Sequence, residues 1–297
     1  MMESKKSVTG LPALIGLKLS AMSTRVQFPH PFIALAAALL IGMGLATSAL
    51  SAQSEWAIND GGRMRLILMP GDDKGTYEGA LQIEPNAGWI TYWREPGDSG
   101  IPPQVGVMPG SDFKLESISY PVPVRIDNGP VRDVGYEQKV TFPLVFSGPV
   151  AAGGRLEASA FIGICKNICI PFQAHFTVDV SPQTDMGDGL ILAEAKAALP
   201  EPPSRDFSVT GFSLNDDHST LHLDLAVPKT DENPQLFVTG PEGTLFLDYT
   251  VVESAPGTLS VEMPVARLPE HYDPSGKTWS VLVVDGARAM ESALAFE

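Results

Sequence analysis

Cysteine and positive charge are both scarce in this sequence of 297 residues. The only cysteines are Cys165 and Cys169, which excludes a scaffold of several disulfides and a metal site built from four thiolates. Lys and Arg number 20 against 35 Asp and Glu. Because binding to a phosphate backbone needs a concentrated basic surface, no nucleic-acid partner is expected.

Long apolar runs are also rare, and the clearest one covers residues 32–46. A run of this length is short for a membrane-spanning helix, which needs about 20 residues. It follows Arg25 and precedes the small residues around 49–52. A positive start, a short apolar stretch and a small-residue cleavage zone are typical of a secretory signal peptide. We therefore expect residues 1–52 to be a cleaved leader, with an uncleaved membrane anchor as the alternative.

We also expect the leader to begin downstream of Met1. Met22 is a more natural start than Met1, so residues 1–21 are interpreted as an over-extended start. Export places the remaining chain in an oxidising compartment, where a cysteine pair meets oxidants.

Alternation of apolar and polar residues dominates the rest of the chain. The clearest series are Leu156, Ala158, Ala160 and Ile162, then Phe176, Val178 and Val180, then Leu221, Leu223, Leu225 and Val227. Gly (28) and Pro (26) exceed their usual frequencies without a collagen period, and they separate these runs as turns. Strand-length runs divided by such turns favour antiparallel β-sandwiches over βαβ units.

One segment has helical character and divides the strands into two blocks. Residues 190–199 consist of good helix formers, and the proline-rich segment 200–203 ends the helix. The sequence therefore predicts an all-β protein of two immunoglobulin-like antiparallel β-sandwich domains, joined by a short helix and a proline-rich linker. The expected bounds are 53–185 for the first domain, 186–204 for the helix and linker, and 205–297 for the second domain.

The two cysteines flank a tight turn between alternating strands, which places each near a strand end. Cross-hairpin positions lie roughly 5–6 Å apart at Cα, within reach of a disulfide. From this spacing alone three roles remain open: a structural staple, a redox-active pair, or a soft metal site completed by His175. His175 is expected to point outward, so neither a metal nor another cofactor is predicted.

Two stretches carry a resemblance to a known family. The segment 161–171 (FIGICKNICIP) resembles the cysteine hairpin of the N-terminal periplasmic domain of DsbD-type thiol:disulfide interchange proteins. The segments 91–103 (TYWREPGDSGIPP) and 140–144 (VTFPL) are similar to the DsbD/ScsB branch of that family. The resemblance covers most of the chain after the expected leader.

The resemblance implies a function and a location. Cys165 and Cys169 would be the catalytic pair of a periplasmic thiol:disulfide oxidoreductase of the protein-disulfide reductase type. Electrons would come from a membrane-embedded donor of the DsbD/CcdA type and pass to periplasmic thioredoxin-like proteins. Since the sequence continues into neither a membrane domain nor a thioredoxin-like domain, the donor is expected to be a separate protein. The alternative is a non-catalytic periplasmic binding or scaffold sandwich with a structural disulfide.

The resemblance also implies a cap over the disulfide. Family members shield the disulfide with an aromatic cap, and the matching segment, 126–136, offers Tyr136 as a candidate; ordinary packing at a strand start is the competing interpretation. The cysteines are also closer together in sequence than is familiar in the family. An aromatic cluster with two carboxylates is compatible with sugar binding or glycoside hydrolysis, but a core strand followed by a turn is the favoured interpretation. Its members are Trp89, Tyr92, Trp93, Glu95 and Asp98.

Overall fold

The computed structural model describes residues 52–128, 131–150, 154–180, 183, 185–228, 234–265, 268 and 272–297. The expected leader lies outside these residues, except for Ala52. The Ala52 side chain is buried, and its carbonyl accepts a hydrogen bond of 2.9 Å from the Leu68 N–H. No helix in the described ranges is long and apolar enough to cross a membrane.

Most described residues lie in β-strands, which fall into an N-terminal and a C-terminal group. The N-terminal strands are β1 Ala57–Asn59, β2 Gly62–Leu68, β3 Thr76–Pro85, β4 Ile90–Gly97, β5 Gln104–Val107, β6 Lys114–Ile118, β7 Val124–Asn128, β8 Val131–Tyr136, β9 Val140–Ser147, β10 Arg155–Cys165 and β11 Cys169–Asp179. The C-terminal strands are β12 Ser208–Leu214, β13 Thr220–Ala226, β14 Gln235–Thr239, β15 Leu245–Phe246, β16 Thr250–Ala255, β17 Thr258–Pro264, β18 Thr278–Asp285 and β19 Arg288–Ala295.

The N-terminal strands form two antiparallel sheets that face each other, here called the first sandwich. One sheet has the order β1-β2-β3-β9-β6, and the other has the order β11-β10-β4-β8-β7, with β5 paired to β10. Residues such as Leu81 and Phe142 from one sheet and Ile162 from the other share a buried core. The predicted alternation along β10 is confirmed, since Leu156, Ala158, Ala160 and Ile162 are all buried.

The C-terminal strands form the second sandwich, from a sheet of order β12-β13-β17-β16 and one of order β15-β14-β18-β19. Its core contains Leu223 and Val261 from one sheet and Val281 and Met290 from the other. The predicted fold class is therefore confirmed as all-β, with two immunoglobulin-like sandwiches. The domain bounds within the chain stay predictions.

A single α-helix, α1, runs from Met186 to Ala197 in the described part of the chain, which also contains a short 3₁₀ helix at Pro241–Gly243. It begins four residues before the predicted segment 190–199 because Asp185 caps it, accepting hydrogen bonds from the N–H groups of Gly187 and Asp188. Leu192 packs on Ile67 and Ala80, so the helix covers the outer face of the β1-containing sheet.

The two sandwiches share an apolar contact. Phe237, Leu247 and Leu282 of the second sandwich belong to the same buried cluster as Trp93 of the first. Each of the three is less than a tenth exposed. The two sandwiches therefore meet through a buried hydrophobic interface.

Candidate functional site

The two cysteines close the β10–β11 hairpin. Cys165 ends β10, Cys169 begins β11, and the two are directly paired in the strand register. They form a disulfide with Cα atoms 4.1 Å apart, closer than the 5–6 Å expected from the sequence. The turn of residues 166–168 is held by a 3.1 Å hydrogen bond from the Lys166 N–H to the Ile168 carbonyl.

The two ends of the disulfide differ in exposure. Cys165 is only 3% exposed, whereas Cys169 is an exposed residue. At the tip of the turn, the Ile168 side chain is 69% exposed. Because thiol–disulfide exchange needs access to the sulfur that is attacked, an incoming thiolate can reach Cys169 more readily than Cys165.

Strand β4 brings Tyr92 to the disulfide. It lies beside β10, with Ile90 opposite Cys165 and Thr91 opposite Ile164. The Tyr92 hydroxyl oxygen lies 3.4 Å from the Cys169 Sγ, and as a disulfide sulfur carries no hydrogen, the tyrosine donates.

Two glycines leave room for the buried ring of Tyr92. It is 1% exposed. A Cβ at Gly100 would lie 2.3 Å from the ring, and one at Gly163 would lie 3.2 Å from it. Both glycines therefore make room for the ring, so that the hydroxyl reaches the sulfur from a buried position.

A buried carboxylate stands behind the tyrosine. Asp133 on β8 is 3% exposed. It accepts hydrogen bonds from the Ser99 hydroxyl at 2.9 and 3.1 Å and from the Ser99 N–H at 3.3 Å. Burial first, and then the negative charge of Asp133, raise the pKa of Tyr92 to about 12. The hydroxyl thus remains a proton donor across the physiological pH range.

Tyr136, the predicted cap, lies in the core of the first sandwich. It is 7% exposed and packs edge-on against Phe142 at 5.5 Å between ring centroids. Its hydroxyl donates a hydrogen bond of 2.8 Å to the Pro121 carbonyl. This is the packing position that the sequence offered as the competing interpretation, and it is Tyr92 that contacts the disulfide. Residues 129 and 130 of the expected cap segment lie outside the described residues.

The fold does not bring together the residues of the other candidate sites. His175 is exposed on β11 and pairs with Ser159, six positions along the strand from Cys169. Among the described residues, no group of three or more His, Cys, Asp or Glu side chains is arranged to hold a metal ion. In the aromatic cluster, Tyr92 and Trp93 are both 1% exposed, so neither presents a ring to a sugar.

The sequence did not single out Tyr92, Ser99 or Asp133 as partners of the cysteines. Tyr92 and Ser99 do lie within the segment 91–103 that carried the resemblance. Their role depends on which strands pair, and Tyr92 is 77 residues from Cys169 along the chain. No local pattern signals such a contact.

Part of the sequence matches a known protein family. Residues 68–181 match the family model described as "Thiol:disulfide interchange protein DsbD, N-terminal". These residues form a DsbD N-terminal-type domain. The disulfide, Tyr92 and Asp133 all lie within this domain, while residues 198–297 match a domain of unknown function, DUF8393.

A solved structure shows the same fold over a longer range. The N-terminal periplasmic domain of ScsB from Proteus mirabilis is 22% identical, with a TM-score of 0.68, and the alignment covers 83% of this chain and 100% of that one. The likeness thus extends past the DsbD N-terminal-type domain into the second sandwich. A marsupial T cell receptor aligns over 81% of this chain and 99% of its own at 12% identity, with a TM-score of 0.20. No curated protein matches the sequence.

Proposed function

We propose that the protein is a periplasmic thiol:disulfide oxidoreductase in which Cys165 and Cys169 cycle between disulfide and dithiol. The observation that carries this proposal is the uneven exposure of the pair within a DsbD N-terminal-type domain: Cys169 is open to a partner and Cys165 is buried behind it. By the resemblance, a membrane-embedded donor of the DsbD/CcdA type supplies electrons, and periplasmic thioredoxin-like proteins receive them.

Reduction begins at the exposed sulfur. A thiolate of the donor attacks the Cys169 Sγ, the Cys165–Cys169 bond breaks, and Cys165 leaves as a thiolate that takes up a proton. The second donor thiol then attacks the donor's own sulfur in the mixed disulfide. This releases the oxidised donor and leaves Cys165 and Cys169 as a dithiol, two electrons richer.

Transfer to the acceptor reverses these roles. The Cys169 thiolate attacks the disulfide of a thioredoxin-like protein, and a mixed disulfide forms while one acceptor thiolate is released. The Cys165 thiolate then attacks the Cys169 Sγ, which restores the intramolecular disulfide and releases the reduced acceptor.

The alternative assigns the disulfide a purely structural role. The reduction potential of the Cys165–Cys169 pair distinguishes a redox-active disulfide from a structural one. We expect a value of about -180 to -230 mV, in the range of exchanging pairs, in graded glutathione buffers. A value below about -300 mV indicates a staple that cellular thiols rarely open, and would contradict the proposal.

Mixed-disulfide trapping tests the assignment of each cysteine. Cys165→Ser leaves the exposed Cys169, so we expect it to accumulate a covalent complex with an oxidised thioredoxin-like protein. Cys169→Ser leaves only the buried sulfur and should accumulate far less. Equal trapping by both variants, or by neither, would contradict the assignment of Cys169 as the preferred site of attack.

The location rests on the expected leader, residues 1–52. N-terminal sequencing of the protein recovered from the periplasm should find a chain that begins near residues 49–52. Retention in the membrane with an intact N-terminus would favour an uncleaved anchor instead.

A further inference from the structure

We infer that the second sandwich is a positioning element of the redox site: by holding β4 and β8 from behind, it fixes the Tyr92 hydroxyl against the Cys169 sulfur. The inference rests on the proposed function for its biological meaning. Its physical content, a dependence of Cys169 chemistry on the second sandwich, can be tested without any protein partner.

The first attachment is beside Tyr92 on β4. Successive side chains of a strand point to opposite faces, so Tyr92 faces the disulfide while Trp93 faces away. Trp93 packs edge-on against Phe237 of β14, with ring centroids 6.0 Å apart, and is 1% exposed. A shift of Trp93 therefore moves the adjacent Tyr92.

The next residue, Arg94, adds a charged attachment. Its guanidinium lies 4.2 Å from the centroid of the Trp93 ring and forms an ion pair with Glu291 of β19. Both side chains are largely shielded, at 24% and 30% exposure. The Trp93–Phe237 contact and the Arg94–Glu291 ion pair together hold β4 on the second sandwich.

Strand β8 has a matching attachment beside Asp133. Arg132 forms an ion pair with Asp248 of the second sandwich, and its backbone N–H donates a 3.0 Å hydrogen bond to Asp98. Thus Tyr92, which contacts the sulfur, and Asp133, whose charge acts on Tyr92, each have an immediate chain neighbour bound to the second sandwich.

The consequence is a coupling between sandwiches. A thiolate at Cys169 is stabilised by a donated hydrogen bond from Tyr92, and that hydrogen bond depends on the position of β4. Loosening the interface should therefore shift the thiol chemistry of Cys169 in the same direction as removing the Tyr92 hydroxyl.

The experiment measures the pH profile of iodoacetamide alkylation of Cys169 in the full mature chain, with Cys165→Ser as the background so that one thiol remains. Phe237→Leu and Glu291→Gln weaken the interface from the second sandwich. We expect each to raise the pKa of the Cys169 thiol, Phe237→Leu by up to one unit, which is about a tenfold loss of thiolate at fixed pH below the pKa.

Matched controls come from the same sandwich. Phe207→Leu removes an equally buried ring that belongs only to the second core, and Asp206→Asn removes an ion pair with Arg288 that does not involve β4. Neither control should move the profile. An equal shift in the controls, or no shift in Phe237→Leu and Glu291→Gln while near-UV circular dichroism shows a native fold, would overturn the inference.

A double-mutant cycle tests the route through Tyr92. In a Tyr92→Phe background, Phe237→Leu should give no further shift, because the hydroxyl it positions is gone. An undiminished shift in that background would overturn the inference. Failure of the trapping experiment alone would remove the shuttle function and leave this coupling intact, so the two outcomes are distinguishable.

Discussion

The hydroxyl of Tyr92 donates to the sulfur of Cys169 across 3.4 Å, and these two residues lie on different strands of one sheet. The tyrosine is buried, whereas the cysteine is exposed. The arrangement leaves Cys169 exposed to a partner while a fixed donor contacts its sulfur from the protein side. The pKa of Tyr92, raised to about 12, keeps that donor protonated when a thiolate forms.

Tyr92→Phe should make the reduced Cys169 less acidic. A hydrogen bond to a charged group contributes about 1.5–3 kcal/mol, and one pKa unit corresponds to about 1.4 kcal/mol, so the thiol pKa should rise by about 1–2 units. The measurement is the pH dependence of thiol alkylation in the reduced protein. Tyr136→Phe is the matched control: it loses a hydroxyl bonded to Pro121, and should lower stability by about 1 kcal/mol without changing the profile. If the thiol pKa changed more in Tyr136→Phe than in Tyr92→Phe, Tyr136 would be the residue that acts on the disulfide.

Opening the disulfide should cost little stability. The bond closes a loop of five residues, for which chain entropy gives about 2 kcal/mol. At roughly 2–4 °C per kcal/mol for a chain of this size, Cys165→Ser/Cys169→Ser should melt about 4–8 °C lower than the wild type, with near-UV circular dichroism retained. Reduced wild-type protein serves as the comparison. Loss of the native fold in either sample would show that the disulfide is needed as a staple.

The strands and the cysteine hairpin could be predicted because their signals are local. Alternation along residues 155–162 indicates which face of the strand is buried. Two cysteines on either side of a short turn are necessarily close in space. The body of the helix was found in the same way. The first turn is not predicted by helix propensity, because Gly187 and Gly189 are poor helix formers. In the structure this turn is stabilised by the hydrogen bonds that the Asp185 side chain accepts from the backbone N–H groups.

The surroundings of the disulfide could not be predicted from local patterns. The sequence predicts a core strand at Tyr92 and Trp93, and both residues are buried, but as neighbours on a strand they point to opposite faces. Tyr92 is covered near Gly100 and Gly163, and Trp93 by Phe237 of the second sandwich. Both contacts depend on tertiary pairing between distant segments, which leaves no trace in composition or periodicity.

Glu95 makes the stability of the protein depend on pH. Burial raises the pKa of Glu95 above its ordinary value of 4.5, and the charge of Arg94 offsets only part of that rise. The folded protein thus holds this proton more tightly than the unfolded chain, so the contribution of Glu95 to stability falls as the pH rises through the raised value. Glu95→Gln should be more stable than the wild type at pH 7, and the advantage should shrink as the pH approaches about 4.

Thermal unfolding of both proteins at several pH values measures this difference. Glu137→Gln, at an exposed position, controls for the change in net charge. An advantage for Glu95→Gln that stays constant with pH would contradict a titrating Glu95.

Gly135 determines how closely β4 approaches β8, and its replacement should therefore affect both stability and the site. Gly135 pairs with Tyr92 in the strand register. A Cβ at this position would lie 2.1 Å from the Thr91 carbonyl oxygen and 3.0 Å from the Tyr92 Cα, and neither backbone atom can move alone. Gly135→Ala must then displace β4 from β8, at a cost of about 1–3 kcal/mol in the free energy of unfolding.

The same displacement carries Tyr92 away from the sulfur, so Gly135→Ala should also raise the pKa of the Cys169 thiol. Gly106→Ala provides the control, because a Cβ there meets only the Ser159 hydroxyl oxygen, at 3.9 Å. It should change stability by no more than about 0.5 kcal/mol and leave the thiol unchanged. Chemical denaturation and thiol alkylation measure the two effects on the same samples. If Gly135→Ala lost stability while the thiol pKa stayed at the wild-type value, the separation of β4 and β8 would matter for folding alone, and the position of Tyr92 would have to be fixed from the Gly100 and Gly163 side of its ring.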